Sequence, residues 1–406
     1  MSLRELPART IVGAIADAAE RWSDADFPPR VRVLDRIVER TGYSNPVVEY
    51  ALDRLFFSIT APALTAVIEN ELGSLDALDG FATRTARPRA WARGVDRVAV
   101  ISSRTTIGVA LVPAIFALCA KSNVTVKDRE DELVTEFFAT LREERDAFVT
   151  EARAQAWDGR EARDLRAFDV VVAFGGSETL ETIRAGLRLE TRFIGYGARA
   201  SAAYVTRDVL NDETRTRLAA AGVARDLVLY DTEGCLSPHV AFVENGGRVT
   251  AHDFARLLAN EVERASIEFP ASTRRPEREA ALVNARNLGA FRSAGGAGTV
   301  FADNAATYAV FVNPPADEPP LFLPRAIGLH AVDQPVEAAA YLKRHGVAVE
   351  AFAMDARGRP DATAMAVNAG AVRLARFGGM QQPPLAGNHG GYPRISGFVR
   401  WIDTDV

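Results

Sequence analysis

The sequence predicts an α/β protein with a helical N-terminal region and two successive units built on parallel sheets covered on both faces. Three observations carry this. Apolar positions recur at helical spacing up to about residue 90. From Arg97 onward, short β-branched runs alternate with longer helical stretches. The alternation restarts at His239, as a second sheet would require.

Taken in order, VRVLDRIVER and VVEYALDRLFFSIT set charges between apolar positions and read as amphipathic helices. Asn45-Pro46 and Gly73-Ser74 break them, and the Pro/Arg-rich stretch TRTARPRAWARG forms a joint. The first set of predicted strands is VAVIS (98–102), NVTV (123–126), FDVVVAF (168–174), RFIGYG (192–197) and LVLYD (227–231). The second begins at HVAFVEN (239–245), continues through TVFA, YAVFVN, RAIGLHAV and VAVEAFA, and ends near VRLARFGG. No internal repeat or low-complexity tract interrupts the pattern.

A chain of 406 residues is long enough for two or three domains. With 48% hydrophobic and 25% charged residues its composition is that of an ordinary globular protein. A net charge of -5 gives no reason to expect nucleic acid or an anionic membrane as partner. The apolar run Ile107 to Ala120 is too short to span a bilayer and is interrupted by Pro113, so it reads as a buried helix. MSLRELPART lacks the apolar core of a secretory signal. Two cysteines, Cys119 and Cys235, cannot build a disulfide framework, and a reducing cytoplasm is expected. Five scattered histidines give no metal-ligand spacing, so no metal is expected.

Three segments carry candidate chemistry. In FDVVVAFGGSETLETIRAGL a buried strand meets Gly175-Gly176-Ser177 and then a helix. The glycines admit close approach of a ligand, Ser177 can cap the helix, and free N–H groups there attract phosphate. An ordinary strand-to-helix turn has the same pattern, and G-x-G-x-x-G is missing. In NVTVKDRED a strand ends at Lys127, followed by Asp128, Arg129 and Glu130, which suits ribose hydroxyls or a 2′-phosphate as well as a solvated loop. In LVLYDTEGCLSPHVAFVEN, Cys235 follows a glycine at an expected strand end. Backbone N–H groups there would lower its thiol pKa and cradle an oxyanion. His239 lies four residues on. A buried, inert thiol is the competing reading for Cys235, and the evident one for Cys119 inside IFALCA.

The order of these motifs resembles the acyl-CoA reductase family of bacterial luminescence, its fatty-acid reductase component, within the aldehyde dehydrogenase superfamily. FGGSETLETI, YGARASAAYV, EGCLSPHVAFVE and GGMQQPPLAGNHGG…VRWID carry the resemblance. It implies an aldehyde dehydrogenase-like fold, two α/β domains with the active site in the cleft between them. The regions would be a helical part (1–94) packing on the cofactor domain, an NAD(P)-binding domain (95–230), a catalytic domain (231–375) and a returning C-terminal segment (376–406) used in oligomerisation. It also implies that Cys235 takes the acyl group and that Phe174, Gly175, Gly176 and Ser177 meet the cofactor pyrophosphate. Lys127 and Glu130 would reach the adenosine ribose. Arg199 and Ser201 fall in the stretch leading to the catalytic cleft, Arg199 on the cofactor side.

Two departures refine this. Hydrolytic aldehyde dehydrogenases carry a glutamate base in the stretch matching IGYGARAS, and its absence here fits a thioester enzyme that need not activate water. In ISSRTTIG a Gly-Asn-x-Pro-like pattern is replaced by Arg104 to Ile107, leaving Thr105 as the candidate oxyanion donor. The expected enzyme is thus an NADPH-dependent acyl-CoA reductase, with NADH open, acting on an acyl-CoA or acyl-protein thioester. A homo-oligomer and an acyl-activating partner protein are the implied associates. A cysteine acyltransferase or thioesterase without a redox step, and a catalytically weakened relative acting as a binding partner, stand as alternatives.

Overall fold

In the computed structural model, which describes residues 2–84, 87–104, 106–155 and 165–405, the chain divides into two units. The first comprises Met1–Arg40, Val48–Ala198 and Pro384–Val406; the second comprises Thr41–Val47 and Arg199–Pro383.

The N-terminal apolar stripes fold as α1 (Ala8–Ser23), α2 (Pro28–Thr41), α3 (Asn45–Ser58) and α4 (Ala61–Leu72). Helix α4 shows how locally its limits are written. Thr60 accepts the Ala63 N–H, Pro62 sits in the first turn, and Gly73 ends the helix at a φ of 87°. Trp22 is fully buried, rests on Phe56 at 4.9 Å, meets Phe137 edge-on, and donates to Thr140 at 2.9 Å. The helical pattern does not persist to residue 94. Strands β1 (Ala82–Arg84) and β2 (Arg87–Gly94) occupy the Pro/Arg-rich joint, where exposed Arg89 and Arg93 alternate with buried Ala90 and Ala92.

Strands β3 (Arg97–Ile101), β4 (Asn123–Lys127), β5 (Ala152–Gln155), β6 (Val170–Phe174) and β7 (Arg192–Tyr196) form a parallel sheet in the order β5-β4-β3-β6-β7. The apolar run becomes α5 (Leu111–Cys119), buried almost throughout, and Cys119 with it. Helices α6 (Leu133–Glu144), α7 (Phe148–Glu151) and α8 (Ser177–Ala185) complete this layer. Among the described residues no single helix is long and apolar enough to cross a membrane. Helices α3 and α4 meet the length and composition test only as a pair bent by 63°.

The second unit holds β8 (Ala200–Val205), β9 (Pro238–Glu244), β10 (Thr299–Ala302), β11 (Ala309–Val312), β12 (Ala326–Val332), β13 (Val349–Met354) and β14 (Arg373–Ala375). Their order is β10-β11-β12-β9-β8-β13-β14, parallel except for the edge strand β10. Helices α9 (Arg207–Leu210), α10 (Glu213–Val228), α11 (Ala251–Glu268), α12 (Pro276–Ala294), α13 (Pro335–Arg344) and α14 (Pro360–Asn368) surround it. The sequence placed the boundary near residue 231, whereas the units divide between Ala198 and Arg199. The reason is pairing. β8 lies between β9 and β13, so it belongs to the second sheet despite following β7 directly in the chain.

LVLYD also departs from expectation. Leu227 and Val228 end α10, and Leu229–Thr232 form a tight turn with positive φ at Tyr230, Asp231 and Thr232. A short apolar run does not distinguish a strand from a buried helix end.

The final segment belongs to the first unit. Its strand β15 (Val399–Asp403) runs antiparallel to β2, Val399 opposite Gly94. Glu71 of α4 anchors the approach by accepting the N–H groups of Arg394 (2.6 Å), Ile395 (2.9 Å) and Ser396 (2.8 Å). Glu71→Ala strips three donors of one acceptor and is expected to cost about 2–3 kcal/mol. Hydrogen exchange should show faster exchange at residues 394–396, with the second unit unaffected.

Candidate active site

Cys235 stands on a loop fixed from below. Asp231 is buried against the guanidinium of Arg325, which is 0% exposed, and accepts the Ser272 N–H at 2.9 Å. Arg325 also donates to Ser266 (2.8 Å) and to the carbonyl of Phe269 (2.8 Å), while its own N–H reaches the Thr232 hydroxyl at 2.8 Å. This clamp holds three consecutive residues in the left-handed region, which side-chain-bearing residues adopt only when the surroundings impose it. The chain then turns through Gly234, whose carbonyl accepts the Ser237 N–H at 3.0 Å.

The loop is held from two further sides. The Ser201 hydroxyl of β8 donates to the Cys235 carbonyl at 2.7 Å. Gln381 donates to the Ser237 hydroxyl at 2.8 Å and to the carbonyl of Asp226 at 3.1 Å. Asp226 in turn accepts the N–H groups of Gly378 (2.8 Å) and Met380 (3.0 Å), binding the FGGMQ segment to α10. Gly222 permits this approach, since a side chain there would lie 2.5 Å from the Phe377 backbone.

Cys235 is exposed. Its sulfur is nevertheless crowded, and desolvation followed by the charge of Glu350 pushes the thiol pKa up to about 11. The N–H groups of Cys235 and Leu236 and the charge of Arg199 pull the other way and lose. The expected lowering by backbone N–H groups is thus present but outweighed. Glu350 of β13 is 8% exposed and faces Arg199, with Arg199 Nε 3.6 Å from its carboxylate and Arg199 Nη1 donating to the Val349 carbonyl at 3.3 Å. Burial raises the Glu350 pKa against the pull of Arg199 and Arg373.

His239 is not brought to the sulfur. At 5% exposure it packs on Phe322 at 4.7 Å, and burial lowers its pKa to about 4. Among the described residues no hydrogen bond joins it to Cys235, and its Nδ1 is unpartnered. It borders a cavity of about 60 Å³ lined by Ala285, Leu288, Phe311, Leu321, Tyr341 and His330.

In the first unit, β6 delivers Phe174 to a stack with Tyr196 (4.7 Å), which in turn stacks on His389 (4.3 Å). Gly175 donates to the Tyr196 carbonyl at 3.2 Å. The cap of α8 is Gly176 rather than Ser177, which is the first helical residue. A side chain on Gly176 would meet open space, and the N–H groups of Ser177, Glu178 and Thr179 have no intrahelical acceptor. Lys127 ends β4, and its carbonyl accepts the Ser102 hydroxyl at 2.8 Å. Glu130 is buried and accepts the N–H groups of Gly108 (2.6 Å) and Ala110 (3.0 Å). Its pKa is pushed up to about 8, chiefly by burial. Its carboxylate therefore ties down the loop after β3 rather than facing an open surface. Thr105, the expected oxyanion donor, lies outside the described residues.

Glu350, Gln381, Asp231 and Arg325 were not singled out by the sequence. A lone carboxylate inside the apolar strand VAVEAFA was the available signal for Glu350.

The two parallel-sheet units define an aldehyde dehydrogenase-like fold. NAD-dependent benzaldehyde dehydrogenase from Corynebacterium glutamicum is similar, with a TM-score of 0.69 at 13% identity over 100% of this chain and 87% of that one. Aldehyde dehydrogenase 21 from Physcomitrella patens, solved with succinate, gives 0.71 at 9% identity over 98% and 86%. Bradyrhizobium japonicum proline utilization A gives 0.72 at 15% identity, over 99% of this chain and 43% of that larger one. No match is found among curated proteins. The family model for acyl-CoA reductase (LuxC) matches residues 3–401, and the chain belongs to that family.

Two outcomes follow from the site. Arg325→Met leaves Asp231 buried and unpaired and is expected to destabilise the second unit by about 3–5 kcal/mol, read by denaturant unfolding. The 240 nm thiolate absorbance, taken as wild type minus Cys235→Ser, should stay flat from pH 6 to 9. A step centred near pH 7 would contradict the raised thiol pKa.

Proposed function

We propose that the protein reduces an acyl thioester, carried as acyl-CoA, to the aldehyde through a Cys235 acyl-enzyme, with NADPH preferred over NADH. The observation that carries this reading is an exposed cysteine on a loop clamped at Asp231, at its own carbonyl and at Ser237. So much fixation around one exposed cysteine suits a nucleophile and is wasted on an inert thiol.

The residues present fit a dinucleotide. The open space before Gly176 and the free N–H groups of the first turn of α8 suit a pyrophosphate. Arg129 is depressed by burial and by the neighbouring charge of Arg104, a pair of cations that a 2′-phosphate would relieve. Lys127 ends the adjacent strand and supports the same preference, while Glu130 holds the loop on which Arg104 sits. When bound, the reduced nicotinamide supplies a hydride to the acyl-enzyme.

The chain's own groups do the rest. Cys235 attacks the thioester carbonyl, and the N–H groups of Cys235 and Leu236, which already face the sulfur, receive the developing oxyanion. Coenzyme A departs as the thiol, and the acyl group stays on sulfur. No glutamate in IGYGARAS activates water against it. Arg199, expected on the cofactor side, is engaged with Glu350 beside Cys235 and acts there in this account.

Acyl-CoAs of graded length, assayed by NADPH oxidation, should give turnover that Cys235→Ser abolishes. Gly176→Val should raise the KM for NADPH about tenfold, by filling the space before α8. Full reductase activity in Cys235→Ser would refute the assignment.

A further inference from the structure

Cys235 presents a contradiction that the proposed reaction alone does not resolve. With the thiol pKa pushed up by crowding and by the charge of Glu350, the resting sulfur is chiefly the thiol, whereas the thiolate is the nucleophile. His239, the expected partner, faces Phe322 and is not hydrogen-bonded to the sulfur. Some other group has to take the proton.

The neighbours of β8 supply one. β8 and β13 are parallel partners with Ala200 opposite Val349, so Arg199 and Glu350 emerge at the same end of two adjacent strands. That end is where Ser201 grips the Cys235 carbonyl. A register shift in β13 between Val349 and Phe352 spans Glu350 and Ala351, a place where an irregular strand can re-aim a side chain. Arg199, immediately before β8, approaches Glu350 at 3.6 Å. On the other side Ala351 pairs with Arg373 of β14, whose guanidinium donates to the carbonyls of Gly379 and Met380, both at 2.6 Å, while its charge still favours the Glu350 carboxylate. A carboxylate buried in an apolar strand, with Arg199 at 3.6 Å and Arg373 hydrogen-bonded to carbonyls, lacks the close pairing that a purely structural buried charge requires.

We infer that Glu350 is the proton acceptor for Cys235, positioned by Arg199. The inference rests on Cys235 being the nucleophile. The Cys235 proton passes to the Glu350 carboxylate, directly or through one water, as the sulfur attacks. A C–S bond forms to the acyl carbon, the thioester C–S bond breaks, and the Glu350 carboxyl returns its proton to the departing coenzyme A thiolate. Glu350 ends as it began, so one group serves both directions. The raised Glu350 pKa suits this, because a carboxyl poised nearer neutrality accepts a proton more readily than an ordinary one. The base works ionised, so reactivity rises as pH rises through that raised pKa.

Alkylation of Cys235 by iodoacetamide, quantified by peptide mass spectrometry from pH 4 to 9, tests this without any acyl substrate. Removing a negative charge lowers the thiol pKa, so a purely electrostatic or structural Glu350 predicts equal or faster alkylation in Glu350→Gln. A proton acceptor predicts the opposite. Alkylation at pH 7 should fall roughly 100-fold and lose its low-pH limb. Glu350→Asp, which keeps the carboxyl, should retain the limb at a reduced rate, and it serves as the test should Glu350→Gln fail to fold. Alkylation at or above the wild-type rate in Glu350→Gln, or an unchanged rate and profile in Glu350→Asp, overturns the inference. If alkylation collapses as expected but acyl-CoA never acylates the wild type, the thioester reading falls and the proton acceptor stands.

Discussion

The buried pair of Asp231 and Arg325 is the constraint on which the Cys235 loop depends. Three residues with positive φ precede Cys235, none of them glycine, and each adopts a conformation its Cβ disfavours. What makes the turn affordable is that Arg325 spends its donors on Asp231, Ser266 and the carbonyls of Phe269 and Val228. A buried ion pair of this kind adds little net stability compared with apolar packing, but removing one partner is costly. Its contribution is therefore conformational. It turns the end of α10 sharply enough that Cys235 meets solvent while Leu227 to Leu229 remain in the core.

With the loop fixed, the electrostatics of the thiol follow. Backbone N–H groups face the sulfur, as a nucleophile and an oxyanion both require, yet crowding and Glu350 keep it protonated. The two demands conflict only if the thiol has to be ionised at rest. An enzyme that meets an activated thioester gains from a thiol that resists adventitious alkylation and oxidation and gives up its proton during attack. Ser201 and Glu350 come from two neighbouring strands, and Arg199 immediately precedes the first of them. The adjacency of β8 and β13 does for this site what a contiguous motif does elsewhere.

Much of the fold was legible because its signals are local. The apolar strands β3, β4, β6, β7 and β9 announced themselves by β-branched runs, and the end of α4 by the break at Gly73-Ser74. The motif order in FGGSETLETI and EGCLSPHVAF pointed to the family. Three features were not legible, each because it depends on distant residues. LVLYD has the composition of a strand, but Arg325, almost a hundred residues on, bends it into a helix end. β8 follows β7 in sequence and pairs elsewhere. His239 is near Cys235 in the chain yet packs on Phe322, whereas Glu350, far away in sequence, is the residue whose charge acts on the sulfur.

The claim that Cys235 carries the acyl group is open to direct observation. Intact-protein mass spectrometry after mixing with acyl-CoA, without reductant, should reveal one adduct of the acyl mass, mapped to the peptide containing Cys235. NADPH should then discharge it as the aldehyde, not as the carboxylic acid. An adduct on another residue, or release as the acid alone, would contradict the account.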